Sequence, residues 1–152
     1  MILNTLFSEP LIFIAWVAAI LIALSVHEFA HAWAGHWLGD DTAKMQGRLT
    51  LNPLSHISWL GFLMLLLVGF GWGKPVPFNP FNLKDKRWGP AMVSVAGPLS
   101  NLIMAVAAGL ILHYLVFFQV LAPQNMLIQF LTIFVILNIF DRLYTSSQGV
   151  KD

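Results

Sequence analysis

The sequence predicts an all-α, multi-pass membrane protein with about three to four transmembrane or re-entrant helices. Its 152 residues are 58% hydrophobic and only 10% charged, whereas an average soluble domain is about 25% charged. The mean hydropathy is +0.76. Four apolar stretches separated by turn residues carry this hydropathy. We therefore expect one membrane-embedded domain over residues 1–140 and a polar C-terminal tail over residues 141–152.

The first apolar stretch runs from Leu11 to Leu38 and follows a helix start signal. Ser8 can cap this helix, and Pro10 can occupy its first turn. A helix of this length measures roughly 40 Å, which exceeds the bilayer hydrocarbon thickness of about 30 Å. The residues before it contain no Lys or Arg, so we expect the stretch to stay in the bilayer rather than to be removed as a signal peptide.

The three later stretches are less regular. The second, Ile57 to Trp72, is short and contains three glycines, which predicts either a short span or a re-entrant segment. The third, Ala91 to Val120, is interrupted by Gly97-Pro98, and the fourth, Met126 to Phe140, is again short. If the second stretch crosses, the positive-inside rule places both termini in the cytoplasm. If it is re-entrant, the first two loops face the cytoplasm and the N-terminus lies outside.

The counts of charged residues and cysteines exclude several classes of function. Eight basic and seven acidic residues leave a net charge of +1, so no basic field exists to bind nucleic acid. The absence of cysteine excludes disulfides, thiolate zinc sites, iron–sulfur clusters and thiol catalysis. Any metal must therefore be bound by His, Asp, Glu or other oxygen ligands.

A pentad of residues that could bind a metal and catalyse a reaction lies inside the first predicted helix. Its sequence is His27-Glu28-Phe29-Ala30-His31. The four-residue spacing places both imidazoles on one helix face, where they can bind one zinc ion. Glu28 lies between them and can take a proton from metal-bound water. The alternative is a pair of hydrogen-bonded interior histidines with Glu28 as a partner. An ionisable residue at the centre of a membrane helix costs about 2.5–3.5 kcal/mol, and this cost favours the metal site.

Spacing arguments do not identify a third metal ligand. The metzincin pattern requires a His and a Gly where Trp37 and Ala34 stand. A downstream Glu is excluded because the only other Glu, Glu9, lies upstream. A di-iron carboxylate bundle would need a second Glu-x-x-His motif, and none exists. An Asp, another His or an amide is left as the third ligand.

Four ordered motifs carry a resemblance to a known family. The first is the pentad with Ala32 and Gly39-Asp40 after it, and the other three are QGRLTLNP from Gln46 to Pro53, GWGKPVP from Gly71 to Pro77 and GPLSN from Gly97 to Asn101. Over roughly residues 10–140 the chain resembles the site-2 protease family of intramembrane zinc metalloproteases, in particular its small bacterial and archaeal members. The resemblance implies that His27 and His31 bind Zn²⁺ and that Glu28 is the catalytic acid/base.

The resemblance also implies that the GPLSN motif marks the neighbouring core helix. From the residues themselves, Gly97 lets helices approach closely and Pro98 frees a backbone carbonyl. Helix packing alone accounts equally well for these two residues. Asn101 is the stronger functional candidate, because its amide can bind a substrate backbone.

The chain departs from the family at its C-terminus. The family's third ligand is an Asp in an Asn-x-x-Pro…Asp-Gly motif, which is missing here. Asp141 is the acid nearest the expected place, but it lacks the flanking Pro and Gly and opens the polar tail, which favours a surface role. His56 and His113 are further candidates for which structural or surface roles are expected. Three other acids are expected to be solvated loop residues: Asp40, Asp41 and Asp85.

The sequence therefore predicts an intramembrane zinc metalloprotease of the cell membrane that acts on a membrane-protein or peptide substrate. Its expected surroundings are the lipid bilayer and not nucleic acid, and its oligomeric state is left open. The alternative is a truncated, catalytically impaired module of the same family that binds metal weakly or regulates a partner. A metal transporter would need further intramembrane carboxylates, and Glu28 is the only one visible.

Overall fold

The computed structural model describes residues 2–68 and 71–140, and helices account for 71% of the structure. No strand occurs in the described ranges, so the predicted all-α class is confirmed. The helices are α1 (Ile2–Ser8), α2 (Pro10–Trp37), α3 (Thr42–Met45), α4 (Trp59–Val68), α5 (Gly89–Phe117) and α6 (Met126–Phe140). Within the described residues, α2 and α5 are long and apolar enough to cross a membrane. A third or fourth crossing stays a prediction.

Helix α2 begins one residue later than its predicted cap requires. Ser8 ends α1, and Glu9 occupies the N-cap position of α2 without a side-chain capping hydrogen bond. The prediction that Ser8 caps α2 was therefore wrong, because residues 2–8 form a helix of their own. Pro10 lies in the first turn as expected. The helix ends before Gly39, whose φ of +106° is costly for any residue with a side chain.

Helices α2, α5 and α6 pack pairwise into a three-helix bundle, with α1 packed against α2 and α4. At the end of the bundle away from the pentad, Ala15 and Ala19 of α2 meet Ala108 of α5 and Leu131 and Phe134 of α6. Small residues let the helix axes approach closely, which is the usual packing solution in lipid. The bundle thereby holds the pentad half of α2 against the first third of α5.

Helix α5 runs without a break through Pro98. The Gly97-Pro98 pair, which interrupts the apolar stretch in the sequence, therefore does not interrupt the helix. Proline removes one backbone donor, but in an apolar bundle no water replaces the remaining helical hydrogen bonds, so leaving the helix would cost more than keeping it. The Ser100 hydroxyl donates to the Gly97 carbonyl at 2.7 Å, which satisfies an acceptor in this turn.

The chain segments just before and just after helix α4 lie side by side. Its ten residues measure about 15 Å, half the thickness of a bilayer core. Ile57 before it and Gly73 after it form an antiparallel bridge. Inside the hairpin, a side chain on Gly61 would collide with the backbone of Trp72. Of the two alternatives for the second apolar stretch, this geometry favours the re-entrant one.

Asp40 joins the loop after α2 to the proline-rich loop before α5. The side chain is 1% exposed, so its predicted solvation was wrong. Its carboxylate accepts hydrogen bonds from the Asn79 amide at 2.6 Å, the Asn82 side chain at 2.9 Å and the Thr42 hydroxyl at 2.5 Å. Burial by itself raises the pKa of Asp40, but these hydrogen bonds together outweigh it and leave the pKa below its usual value.

Candidate metal centre

The two imidazoles of the pentad converge on one point. His27 is 3% exposed, and its Nε2 lies 3.0 Å from Nε2 of His31. Nδ1 of His31 donates to the Val93 carbonyl of α5 at 2.7 Å. Because that nitrogen carries the proton, Nε2 of the neutral ring presents a lone pair. One helical turn thus aims two ring nitrogens at the same place, as the spacing predicted.

These nitrogens fit a zinc ion. Tetrahedral Zn²⁺ with Zn–N bonds of about 2.0–2.1 Å places two ligand nitrogens about 3.3 Å apart, close to the spacing found here. Gly97 of α5 faces the pair, and a Cβ atom at this position would lie 2.6 Å from Nε2 of His27 and closer still to Nε2 of His31. The space beside the two nitrogens therefore depends on the missing side chain of residue 97.

Glu28 is the buried acid of the pentad. The side chain is 7% exposed, and its Oε2 accepts a hydrogen bond from the Val76 amide at 3.0 Å. That contact ties the carboxylate to the GWGKPVP segment, which follows α4. A buried carboxylate next to His27 in sequence and held by a backbone donor is suited to proton transfer.

Asn101 lies one helical turn beyond Gly97 on α5. Its side chain is 2% exposed and hydrogen-bonds His27. This contact gives the amide a role in orienting a ring of the candidate centre. Substrate binding by Asn101 stays a prediction.

No third His, Cys, Asp or Glu completes the centre within residues 2–68 and 71–140. There, no group of three or more His, Cys, Asp or Glu side chains is arranged to hold a metal. His56 is fully buried and bonds the Thr50 carbonyl through Nε2 at 2.8 Å, and His113 is exposed and stacks on Phe117. Asp141, the acid suggested by the sequence, and the predicted tail 141–152 lie outside the described residues.

Arg48 is a site residue that the sequence did not single out. It is 6% exposed, and its guanidinium donates to the carbonyls of Ser55, Lys74 and Pro75. Burial lowers the pKa of Arg48, and the charge of Glu28 opposes this shift. The one signal available in the sequence is a cation placed within the QGRLTLNP motif of a chain that carries few charges.

His56 contacts the same two loops as Arg48, one before α4 and one after it. Burial, followed by the nearby charge of Arg48, lowers the pKa of this ring, although its hydrogen bond to Thr50 opposes the shift. The His56 carbonyl also accepts a hydrogen bond from the Lys74 amide at 2.7 Å. The ring is therefore a neutral structural element, in agreement with the expected structural role.

Comparison with known proteins relates the chain to metalloproteases. It is 47% identical over 89 residues to the Bacillus subtilis (strain 168) protein named "Putative zinc metalloprotease YwhC". The aligned residues make up 59% of this chain and 41% of that protein. It is 34% identical over 100 residues to "Putative zinc metalloprotease Rip2" of Mycolicibacterium smegmatis, covering 62% and 38%. For the protein of the same name from Mycobacterium tuberculosis (strain ATCC 25618 / H37Rv), the identity is 35% over 101 residues, covering 62% and 38%.

The chain spans about two fifths of the length of the curated relatives it matches. No family model matches it, and no solved structure matches it. The imidazole pair and the adjacent carboxylate agree with the names of these relatives. The chain is thus related to proteins named as zinc metalloproteases.

Proposed function

We propose that this chain forms the catalytic core of an intramembrane zinc metalloprotease of the site-2 protease type. The observation that carries the proposal is the convergence of the His27 and His31 Nε2 atoms on the gap opposite Gly97. The names of the relatives support the same chemistry.

The chain's own residues have distinct roles in this proposal. His27 and His31 would hold Zn²⁺, which when bound supplies a Lewis acid and lowers the pKa of water to about 7. Glu28 takes a proton from the attacking water and returns it to the leaving amine. Asn101 and the Val93 carbonyl each hold one imidazole in orientation, as partners of metal-binding histidines commonly do.

The substrate is proposed to be a membrane protein or peptide that is locally unwound. A helix hides its carbonyls in its own hydrogen bonds, so helix-breaking residues near the target bond would favour cleavage. Within the described residues, every Lys and Arg belongs to the segments that join α2 to α4 and α4 to α5, namely Lys44, Arg48, Lys74, Lys84, Lys86 and Arg87. With α4 re-entrant, the positive-inside rule favours the cytoplasmic side of the cell membrane for the site end of the bundle.

Zinc content and peptide cleavage test this function together. We expect the purified chain in detergent to retain about one zinc per chain and to cleave fluorescein-labelled casein. His27→Ala should lose both properties. Glu28→Gln should keep the zinc and lower the cleavage rate by about 10²–10⁴-fold, because it removes the proton acceptor alone. Little zinc in the unmodified chain would overturn the proposal.

A second candidate is the catalytically impaired module that binds metal weakly or regulates a partner. The observation in its favour is that, over the described ranges, no third side chain of a metal-binding type joins the two histidines. This candidate predicts substoichiometric zinc and no casein cleavage in the unmodified chain. The same two measurements therefore separate it from the protease.

A further inference from the structure

A single backbone donor reaches Glu28 from the loop after α4. It belongs to the tripeptide Pro75-Val76-Pro77, in which both prolines lack an N–H group. Val76 therefore carries the one main-chain donor of the tripeptide, and it donates to Oε2 of Glu28. Because Val76 precedes a proline, its backbone is restricted to extended conformations, which limits the directions this donor can take.

The other end of the same peptide unit is held by Arg48. The Pro75 carbonyl and the Val76 amide belong to one peptide plane, and the described chain contains no cis peptide bond. Nη2 of Arg48 lies 3.1 Å from the Pro75 carbonyl oxygen and also donates to the Lys74 carbonyl. In a trans peptide the oxygen and the hydrogen point in opposite directions. Arg48 and Glu28 therefore bind the two ends of one peptide dipole.

The charges of Arg48 and Glu28 match the dipole of the peptide unit between them. A cation at the carbonyl oxygen polarises the peptide, and the polarised N–H binds a carboxylate more strongly. The guanidinium is nine-tenths buried, and a charge in that position needs polar partners. Its carbonyl acceptors and the nearby carboxylate of Glu28 provide them.

We propose that Arg48 is a positioning residue that orients Glu28 through the Pro75–Val76 peptide unit. This inference rests on the proposed function, because it assigns Arg48 a part in placing the proton acceptor of that reaction. Arg48 touches neither of the converging imidazole nitrogens in the hydrogen bonds described above. Its effect should therefore appear in the rate of the chemical step rather than in substrate binding.

Two substitutions at residue 76 separate the donor from the side chain. Val76→Pro removes the N–H and suits a segment already flanked by prolines, whereas Val76→Ala keeps the N–H and trims the side chain. With casein as substrate, we expect Val76→Pro to lower kcat by about 10- to 100-fold, the usual effect of losing a hydrogen bond to a charged group. KM should stay within about twofold in both variants, and kcat should fall much less in Val76→Ala, which keeps the N–H, than in Val76→Pro.

A double substitution tests whether Arg48 acts through this peptide. Arg48→Lys keeps the charge but loses the planar fork that binds two neighbouring carbonyls. We expect a fall in kcat similar to that of Val76→Pro, and no further fall when the two changes are combined. Additive losses would overturn the inference, as would equal rates for Val76→Pro and Val76→Ala in a chain that Glu28→Gln inactivates. Those results would leave the proposed function intact.

A spectroscopic measurement tests the same contact without cleavage. In chain labelled with [¹⁵N]valine, the Val76 amide signal is identified by its loss in Val76→Ala. We expect its proton resonance to move upfield in both Glu28→Ala and Arg48→Lys, since each weakens a charge-assisted hydrogen bond. The other valine signals report whether the fold is kept. A Val76 resonance unchanged in both variants would overturn the inference even if the unmodified chain proved inactive.

Discussion

Gly97 contributes to the candidate centre by having no side chain. It lies on α5 opposite both Nε2 atoms, so any Cβ at this position would occupy the space in which the imidazoles converge. The colliding atoms are the ends of side chains rather than backbone. We therefore expect the rings to move aside while the helix pair survives.

Alanine substitution at two glycines of α5 tests this role. Gly97→Ala should weaken zinc binding by about 10- to 100-fold, the range found when the surroundings of metal ligands are disturbed. Gly109→Ala is the matched control, because nothing lies within 4 Å of its added Cβ. Competition with a chromophoric chelator measures both affinities. Equal zinc affinities in the two variants would contradict the assigned role of Gly97.

The Asp40 carboxylate should make stability depend on pH. Its pKa is lower in the folded chain than in the unfolded chain, where it is about 3.9. The folded state therefore gains stability above the unfolded pKa and loses it as pH falls through the folded pKa. We expect Asp40→Asn to lower stability by about 1–3 kcal/mol at pH 7 and to flatten its decline at acidic pH.

Asp41 supplies the control for that measurement. Its side chain is 56% exposed and contacts His36 on the surface of the loop. Thermal unfolding in detergent between pH 7 and pH 3 should show an almost unchanged profile for Asp41→Asn. If the two variants follow the same profile, the buried hydrogen bonds of Asp40 do not contribute as stated.

The sequence predicts the roles and the burial of some residues and not of others. His27, Glu28 and His31 could be proposed from the sequence because all three lie on one helix, where the four-residue spacing alone places the two histidines on one face. Asp40 was expected to be solvated and Arg48 was not singled out. Both lie in loops, where burial depends on which distant segments fold against them.

Among the helices, α4 is the one for which the sequence pattern could not distinguish a membrane crossing from a re-entrant hairpin. Its apolar residues suit either a short crossing or a hairpin, and composition is the same in both cases. The bridge between Ile57 and Gly73 and the tight contact of Gly61 with Trp72 favour the re-entrant alternative. The loops on either side of α4 then lie at one end of the bundle.

Labelling of single cysteines tests this topology, because the chain has no cysteine of its own. Leu54→Cys and Phe81→Cys place thiols at exposed positions on either side of α4, and Gln124→Cys places one between α5 and α6. With a membrane-impermeant maleimide, the first two should react from one face of sealed vesicles and the third from the other. Reaction of Leu54→Cys and Phe81→Cys from opposite faces would show that α4 crosses.

For the whole molecule, the surface is as informative as the core. Large apolar side chains remain exposed along α5, including Leu99, Ile103, Val106 and Leu110. A water-soluble bundle would bury such a row, whereas lipid leaves it in a favourable environment. The outward faces of the bundle therefore support the membrane location that composition predicts.

The amino-acid sequence by itself determined the helical class, the two long apolar helices and the shared face of His27 and His31. Each of these follows from composition or from a period within one helix, so no distant contact is needed. Only the tertiary structure showed that Ile57 and Gly73 pair on either side of α4, that α5 continues through Pro98 and that the Pro75–Val76 peptide lies between Arg48 and Glu28. Arg48 and Pro75 are separated by 27 positions in the sequence, and Glu28 and Val76 by 48 positions. Only the closing of loops onto the bundle brings such distant residues together.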